Sequence, residues 1–460
     1  MKTILLPIYN GIRSRDFFRT DLFKVLAADS KVRLVIAAPE YKLDFYKKEF
    51  GRENVFFEPL PDIREPFLGR FLNALAFNFL DTGTVRQKQY QMYARAGNFS
   101  KFISRRFLTV ISGNKKFLRK FIRLLDRALV SPNKEVLNIL DKYKPNLVIT
   151  PDIILPIDRM FLRAAKNIGV RTIGMVRSWD NLTAKGVIQI LPDRLIAQTN
   201  QMKLEAIKYA DMPEEDIAVL GVPQFDHYFK PPKFSREEFF KSLGIPAERR
   251  LILCAPFFDI YSNSSGTKII NALARAIDAG RLPRDLHLLV RYRPESMPED
   301  FSEEKLLRNP NITVTVPYSL PFLRKNKRSD YEFSASDVDM LFNSIYFSDV
   351  TINTISTLTI DAVALDKPVI NIRFDGDPAT PPAYQVSLYT GYDHYNFIEN
   401  AKAVRLAYNM DELISQINQY LKKPQLDKEG RKIVRDAQIE FFDGFSGKRS
   451  AEFILKELSV

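Results

Sequence analysis

INTISTLTIDAVALDKPVINI, residues 352 to 372, is the stretch whose reading decides the fold. It opens on an apolar strand end, passes through a turn carrying Thr354, Ser356, Thr357 and Thr359, runs on as a short helix and returns as a second apolar strand, KPVINI. Strand, helix and strand in direct succession make a crossover, so the two strands run parallel. Parallel strands this apolar are buried on both faces and need helices above and below the sheet.

The same alternation extends in both directions. Behind it lie RLILCAP, LHLLVRY, ITVTVP and VTINT, and ahead of it AVRLA. The first half carries KTILLPIY, VRLVIAA, NVFFE, NLVIT, RTIGMV, DRLIAQ and IAVLG, with helical periods such as RDFFRTDLFKVLAAD between them. Apolar β-branched runs alternating with helix-period segments predict an α/β fold of parallel sheets. A chain of 460 residues exceeds one ordinary core and suggests two domains of roughly 200 residues each. GVPQFDHYFKPPKFS, with three prolines, marks the change of series. The expected division is 1–222, then 223–430, with helices in 431–460 crossing back to brace the first domain. The segment 65–130 is too long for one crossover and is expected to form extra helices outside the first sheet.

The single cysteine, Cys254, lies in LILCAPFF, which rules out a disulfide framework and fits a buried small residue. No continuous apolar run is long enough to span a membrane, and the N-terminus lacks a signal-peptide core, so the expectation is a cytoplasmic chain. The formal charge is +13, and twelve Lys/Arg between Arg86 and Arg127 face one acid, Asp126. The excess charge is therefore concentrated in the insertion.

At the carboxyl end of a parallel strand, a helix start offers free backbone N–H groups and partial positive charge. Thr354, Ser356, Thr357 and Thr359 around such a start make a candidate phosphate seat. One hydroxyl would suffice for a helix cap alone. Asp361, four residues after Thr357, shares its face and is a candidate acceptor for sugar or ribose hydroxyls, the plain alternative being a surface acid.

The pattern S-T-x-x-x-D-A-x-x-x-x-K-P-V-I of Ser356 to Ile370 resembles the donor-binding element of GT-B nucleotide-sugar glycosyltransferases, and especially of the CDP-glycerol glycerophosphotransferase-like group that builds bacterial surface polymers. GVPQFD (221–226) is similar to the G-x-P-x-F-D sequence that opens the second domain in that class, and FDGFSGKRSAEFI (442–454) to its D-G-x-x-S-x-R-x-A-x-x-I terminus. LLVRYRPE (288–295) resembles the group's L-x-x-R-x-H-P strand end, with Arg293 where the group has histidine. The resemblance covers the second half well and the first half only in architecture. It implies two Rossmann-like domains of GT-B type, nucleotide diphosphate on Ser356 and Thr357, and Asp361 near the nucleoside. Arg291 and Arg293 suit bidentate pairing with phosphate.

GMVRSWDNLTAKG (174–186) follows a strand end and gathers Arg177, Trp179, Asp180, Asn181 and Lys185 in one loop. Such a loop lines a cleft for an acceptor, or else Trp179 plugs the junction between domains. An inverting transfer needs a base for the acceptor hydroxyl. The candidates are Asp180, which is preferred, Asp152 and Asp16, with His227 and His394 as alternatives, whereas His287 reads as packed within a strand. Arg291, Arg293 and the 354–359 turn supply the charge that a leaving diphosphate needs, so neither metal nor cofactor is expected. Of two D-x-D triplets, Asp337 reads as a helix cap and Asp375 as a donor-sugar contact.

In KKFLRKFIRLLDRALV, Phe117, Phe121, Leu124 and Ala128 share one face and Lys116, Lys120, Arg123 and Arg127 another. That pattern suits a helix on an anionic bilayer, each cation adding about 1 kcal/mol. It equally suits a helix whose apolar face packs on its own domain. Nucleic acid is not expected, since no binding module for it is recognisable.

The expected protein is thus a metal-independent glycosyltransferase moving a sugar from a nucleotide-activated donor to a glycan, lipid-linked, at the inner face of a membrane. Alternatives are a hydrolysing nucleotide-sugar 2-epimerase, a CDP-glycerol glycerophosphotransferase, or a non-catalytic membrane- or nucleic-acid-binding protein.

Overall fold

The computed structural model describes residues 1–255, 265–292, 309–315, 319–321 and 331–459. The first sheet holds β1 (Lys2–Pro7), β2 (Val32–Pro39), β3 (Val55–Leu60), β4 (Leu147–Thr150), β5 (Arg171–Met175), β6 (Arg194–Ala197) and β7 (Ile217–Val219), in the order β3-β2-β1-β4-β5-β6-β7. Next come β8 (Arg250–Ala255), β9 (Leu286–Arg291), β10 (Ile312–Thr315), the pair β11 (Ser319–Pro321) and β12 (Tyr331–Phe333), then β13 (Val350–Asn353), β14 (Val369–Ile372) and β15 (Arg405–Ala407). The second sheet runs β10-β9-β8-β13-β14-β15, and β11 and β12 form a separate antiparallel pair. Every apolar run read from the sequence is a strand, and both sheets are parallel throughout. The β11–β12 hairpin has no apolar alternation to announce it.

The helices of the first half are α1 (Gly11–Phe18), α2 (Asp21–Ala28), α3 (Leu43–Phe50), α4 (Phe67–Phe77), α5 (Gly83–Ala96), α6 (Phe99–Ser112), α7 (Lys116–Leu129), α8 (Lys134–Tyr143), α9 (Pro156–Asn167), α10 (Asn181–Ala184) and α11 (Asn200–Ala210). Those after it are α12 (Arg236–Ser242), α13 (Ser265–Asp278), α14 (Ala335–Tyr346), α15 (Leu358–Ala364), α16 (Asp393–Asn400), α17 (Met410–Lys422), α18 (Lys428–Ile439) and α19 (Ser446–Ser459). Alternation along β1 sends Ile4 and Leu6 into a core with α1, α2, α3 and α19, and Leu5 into another with Met160 and Phe161 of α9.

Each sheet reverses its strand order once, beside β1 and β4 in the first and beside β8 and β13 in the second. Ligands of open parallel sheets bind outside the strand ends at such reversals. Asn353 pairs with Ala255 at the second reversal, so the turn beginning at Thr354 leaves the sheet at that point.

Three joints fix one half on the other. The β12 strand lies against α1 so closely that a Cβ at Gly11 would stand 2.0 Å from the Tyr331 carbonyl oxygen. Beside it Glu332, fully enclosed, accepts from the Lys42 ammonium at 2.8 Å and the Tyr46 hydroxyl at 2.6 Å. The α5 helix meets the segment 388–393: the Thr84 amide donates to the Asp393 carboxylate at 2.9 Å, and the Asp393 amide returns a bond to the Thr84 hydroxyl, also 2.9 Å. Finally α19 crosses back onto α2, with Ala451, Ile454 and Leu458 entering the first core. Asp226 caps its start, accepting from the Ser446 and Gly447 amides at 3.0 and 2.7 Å. The GVPQFD and DGFSGKR stretches, far apart in sequence, are thus two sides of one joint.

The insertion is the helical layer α4 to α7, and α7 lies with its faces arranged otherwise than the sequence pattern suggests. Ile122, Arg119 and Asp126 point inward, whereas Phe117, Phe121 and Leu124 are 64%, 52% and 62% exposed. Arg123, expected among the outward cations, is turned in. Its guanidinium meets the Asp211 carboxylate at 2.9 Å and the Ile188 and Ala210 carbonyls at 2.9 and 2.7 Å, which satisfies the buried charge. Lys116, Lys120, Arg127 and Ala128 remain exposed.

Candidate active site

A cleft of ≈600 Å³ opens between the two reversals, walled by α1, the 177–185 loop and the 222–230 segment on one side and by the 355–361 turn, Arg291 and α14 on the other. Seven cations line it (Arg15, Arg19, Lys24, Arg177, Lys185, Lys230 and Arg291) against Asp21, Asp180, Asp226, Asp337 and Asp361. All five acids are engaged, Asp21 with Lys24, Asp180 with Lys185, Asp337 with Arg291, Asp226 with backbone amides and Asp361 with Tyr228, and the lining cations outnumber them by two.

On the second-half wall, Ser356 and Thr357 face the cleft. The Leu358 amide donates to the Ser356 hydroxyl at 3.2 Å, while Thr357, the N-cap of α15, is exposed and makes no capping bond with its side chain. Thr359 does not join them. It is fully buried, donates to Asn353 at 3.1 Å and pairs with the Tyr395 hydroxyl at 2.9 Å, which makes it part of the polar core beneath the turn. Thr354 and Asp375 also lie elsewhere, on an apolar cavity of ≈30 Å³ with Cys254. There Asp375 accepts from the Val386 amide at 3.1 Å, and burial raises its carboxyl. Burial likewise pushes the Cys254 thiol up to about 12, which removes it from nucleophilic chemistry.

Asp361 is no surface acid. Its carboxylate accepts from the Tyr228 hydroxyl at 2.5 Å, and burial pushes its pKa up to about 6 against the lowering effects of that bond and of Arg15. Asp337 is not the cap of α14; Ser334 is, and Asp337 pairs instead with Arg291 at 2.6 Å. This pairing neutralises part of a guanidinium expected to face phosphate. Its second terminal nitrogen, Nη1, is buried and meets no partner among the described residues. Arg293 lies outside the described residues.

The other wall carries Arg177, Trp179, Asp180 and Lys185. Burial alone would raise the Asp180 carboxyl, but the Lys185 ammonium at 3.5 Å and the Ser178 hydrogen bond outweigh it and hold the group below the usual carboxylate range. Asn181 is buried in α10 beneath the loop. Trp179 stands at the junction, its ring edge-on to His394 at 4.8 Å and tilted against Tyr395 at 5.8 Å. Asp152 and Asp16 do not line the cleft. Asp152 is buried against Arg13 at 2.6 Å and accepts from the Ile153 and Ile154 amides; Asp16 is held by Arg15 at 2.7 Å. Asp152, with three donors on its carboxylate, orders its neighbours, whereas both bonds from Arg15 to Asp16 fall on Oδ1. His227 and His394 both line the cleft, each pushed down to about 4 by burial, so both rings are neutral at pH 7. His287 is packed in β9, its Nε2 at 2.8 Å from the Thr313 hydroxyl.

Arg15 and Tyr228 line the cleft but were not legible as site residues; Lys88 and Glu205 do not line it and act on Asp180 only through their charge. Arg15 follows the first strand in RSRDFF, which is the one available signal, because the first helix after β1 begins at the reversal. Lys88 comes from the insertion and reaches the Ala184 carbonyl at 3.0 Å; burial and then Lys185 bring its ammonium down to about 8. Burial raises the Glu205 carboxyl to about 7, with Asp393 and Asp180 adding to it against the Gln201 hydrogen bond. Its folded value lies above its unfolded one, so its stabilising contribution is complete below pH 4.5 and is lost as pH rises through 7. Glu205→Gln is therefore expected to raise Tm at pH 8 by a few degrees and leave it unchanged at pH 4.5; an equal shift at both pH values in thermal unfolding would contradict the assignment.

Residues 191–456, more than half of the chain, match the family described as CDP-Glycerol:Poly(glycerophosphate) glycerophosphotransferase. No curated protein sequence matches. Among solved structures, the chain is similar to UDP-GlcNAc 2-epimerase from Neisseria meningitidis bound to UDP-GlcNAc, at 12% identity and TM-score 0.56, over 99% of this chain and 100% of that one. It is similar to a glycosyltransferase from Rickettsia africae ESF-5 at 14% identity and TM-score 0.52, over 100% and 98%. It is similar as well to the wall teichoic acid polymerase TagF at 12% identity and TM-score 0.50, over 100% and 89%. These likenesses place the fold among two-domain GT-B architectures.

Proposed function

Because the chain belongs to the CDP-Glycerol:Poly(glycerophosphate) glycerophosphotransferase family, we propose that this GT-B transferase moves a sugar from a nucleotide-activated donor to a lipid-linked glycan at the inner face of a membrane. The observation that carries the reading is the position of the Ser356–Thr357 turn, at the reversal of the second sheet, and of Asp180, in the loop after β5 of the first, on opposite walls of one cleft. In a single displacement the acceptor oxygen attacks the anomeric carbon, the bond from that carbon to the diphosphate oxygen breaks, and the hydroxyl proton passes to the Asp180 carboxylate. Of the three carboxylates considered for this role, Asp180 is the one lining the cleft. The Ser356 and Thr357 hydroxyls, Arg15 and Arg291 stabilise the leaving diphosphate. With that charge supplied by side chains, the transfer proceeds without a metal.

Membrane work is supported by the outward faces of α4, α6 and α7. Phe67, Phe71, Phe107, Phe117, Phe121 and Leu124 are each more than half exposed, and Lys101, Lys116 and Lys120 stand exposed among them. Large side chains clustered in this way mark an interaction surface, and with cations between them they suit an anionic bilayer. Among the described residues no helix is long and apolar enough to cross a membrane.

Donor binding tests the reading. Titration with UDP-, CDP-, GDP- and dTDP-sugars and with CDP-glycerol is expected to give one saturable donor, unaffected by EDTA. Ser356→Ala with Thr357→Ala removes two hydrogen bonds to a charged group, about 1.5–3 kcal/mol each, and should weaken that donor about 10²-fold or more. Unchanged affinity in the double variant would remove the phosphate seat. A preference for CDP-glycerol would favour glycerol phosphate as the transferred group, as the family description suggests. Release of free sugar without acceptor would favour a hydrolysing epimerase.

A further inference from the structure

The α5 helix touches the exposed apolar layer on one side and the cleft wall on the other. Its Tyr93 ring stacks on Phe102 of α6 at 5.0 Å, and Tyr90 meets Phe102 edge-on at 6.4 Å. Buried Gln89 donates to Thr109 of α6 at 2.7 Å and to Asn78 at 3.0 Å. From its opposite side Gln87 and Gln91 donate to the Leu388 carbonyl at 2.7 and 2.5 Å, and Gln91 also to the Tyr392 hydroxyl at 2.7 Å. Tyr392 and His394 line the cleft. The helix buries few apolar side chains of its own, with Thr84, Val85, Gln89 and Gln91 as its enclosed positions, so hydrogen bonds to its neighbours decide where it sits.

The geometry points to a bilayer-coupled clamp: seating of α4, α6 and α7 on an anionic membrane surface fixes α5, and α5 holds the 388–394 wall in place over the cleft. The inference rests on the membrane reading above and adds a regulatory consequence to it. An anionic bilayer is the occupant because the exposed aromatic and aliphatic side chains of α6 and α7 are interspersed with Lys101, Lys116 and Lys120, and the surrounding segment carries nearly all of the chain's excess positive charge. Two states are required, with the joint between Thr84 and Asp393 made or broken, and the bilayer favours the first because it immobilises the α6 surface on which α5 rests. Linkage is reciprocal, so a ligand that closes the cleft tightens membrane binding by the same factor.

Hydrogen exchange on the full chain tests this, with vesicles of phosphatidylcholine and phosphatidylglycerol and with phosphatidylcholine alone. Expected on the anionic vesicles is slower exchange in 99–129, where contact occurs, and also at the Asp393 amide, by about fivefold or more, the low end of ordinary coupling between sites. Gln87→Ala with Gln91→Ala should keep vesicle binding and the protection of 99–129 but lose the slowing at Asp393. Arg95→Ala, at an exposed position whose guanidinium bonds the Tyr389 hydroxyl, should weaken it without risk to folding. Protection of 99–129 with unchanged exchange at Asp393 in the wild type would overturn the clamp and leave the membrane reading standing. Absence of co-sedimentation with either vesicle would overturn both.

Discussion

Asp180→Asn is expected to lower kcat by about 10²- to 10⁴-fold, the ordinary contribution of a positioned general base, with donor affinity unchanged. The variant keeps the size of the side chain and removes the carboxylate that takes the proton, together with its charge beside Lys185. Lys185→Met is the informative companion. It removes the ammonium that, together with Ser178, holds the carboxyl below its usual range, so burial is left to raise it, and the acid limb of the rate profile should move to higher pH. Steady-state kinetics from pH 4 to 8 read both effects. A kcat within about threefold of wild type for Asp180→Asn would transfer the role to a neutral histidine of the same cleft, His394 or His227.

The second large effect concerns stability. Glu332→Ala leaves the Lys42 ammonium enclosed in the first half without its carboxylate, and removal of one partner from a buried pair costs about 3–5 kcal/mol. The side chains of Lys42 and Glu332 are 0% and 1% exposed, so solvent does not compensate. Lys42→Met with Glu332→Leu replaces the pair by apolar groups of similar size and should recover most of the loss. Urea unfolding measures both. A cost below about 1 kcal/mol, the worth of a surface ion pair, would mean that the hairpin is not seated on the first half in solution.

The strands were legible because each is a short apolar run between polar punctuation, and a parallel sheet imposes that pattern on every strand. The turn at Ser356 was legible too, since hydroxyls at a strand's carboxyl end stand out in the sequence. What the sequence withheld is which hydroxyls face the cleft. Thr359 and Ser356 are three residues apart, and only the packing of Tyr395 and Asn353 beneath the turn draws Thr359 inward. The same limit applies to Arg123, whose inward partner Asp211 lies 88 residues away. Helical periodicity groups residues into faces, but a charged side chain is assigned to the interior only by a carboxylate that the pattern does not contain. The hairpin was illegible for a related reason, since Glu332 in the middle of YEF reads as a solvent residue until Lys42 and Tyr46 are seen around it.

The crossing of α19 bears on the order in which the molecule is made. Ile454 and Leu458 complete the core under β1, although β1 leaves the ribosome long before α19 does. Until α19 emerges, the newborn first sheet exposes the apolar floor that this helix will cover, each such side chain being worth about 1.5–3 kcal/mol once buried. The core of the first half therefore closes only after the whole second half has been made and α19 has followed it.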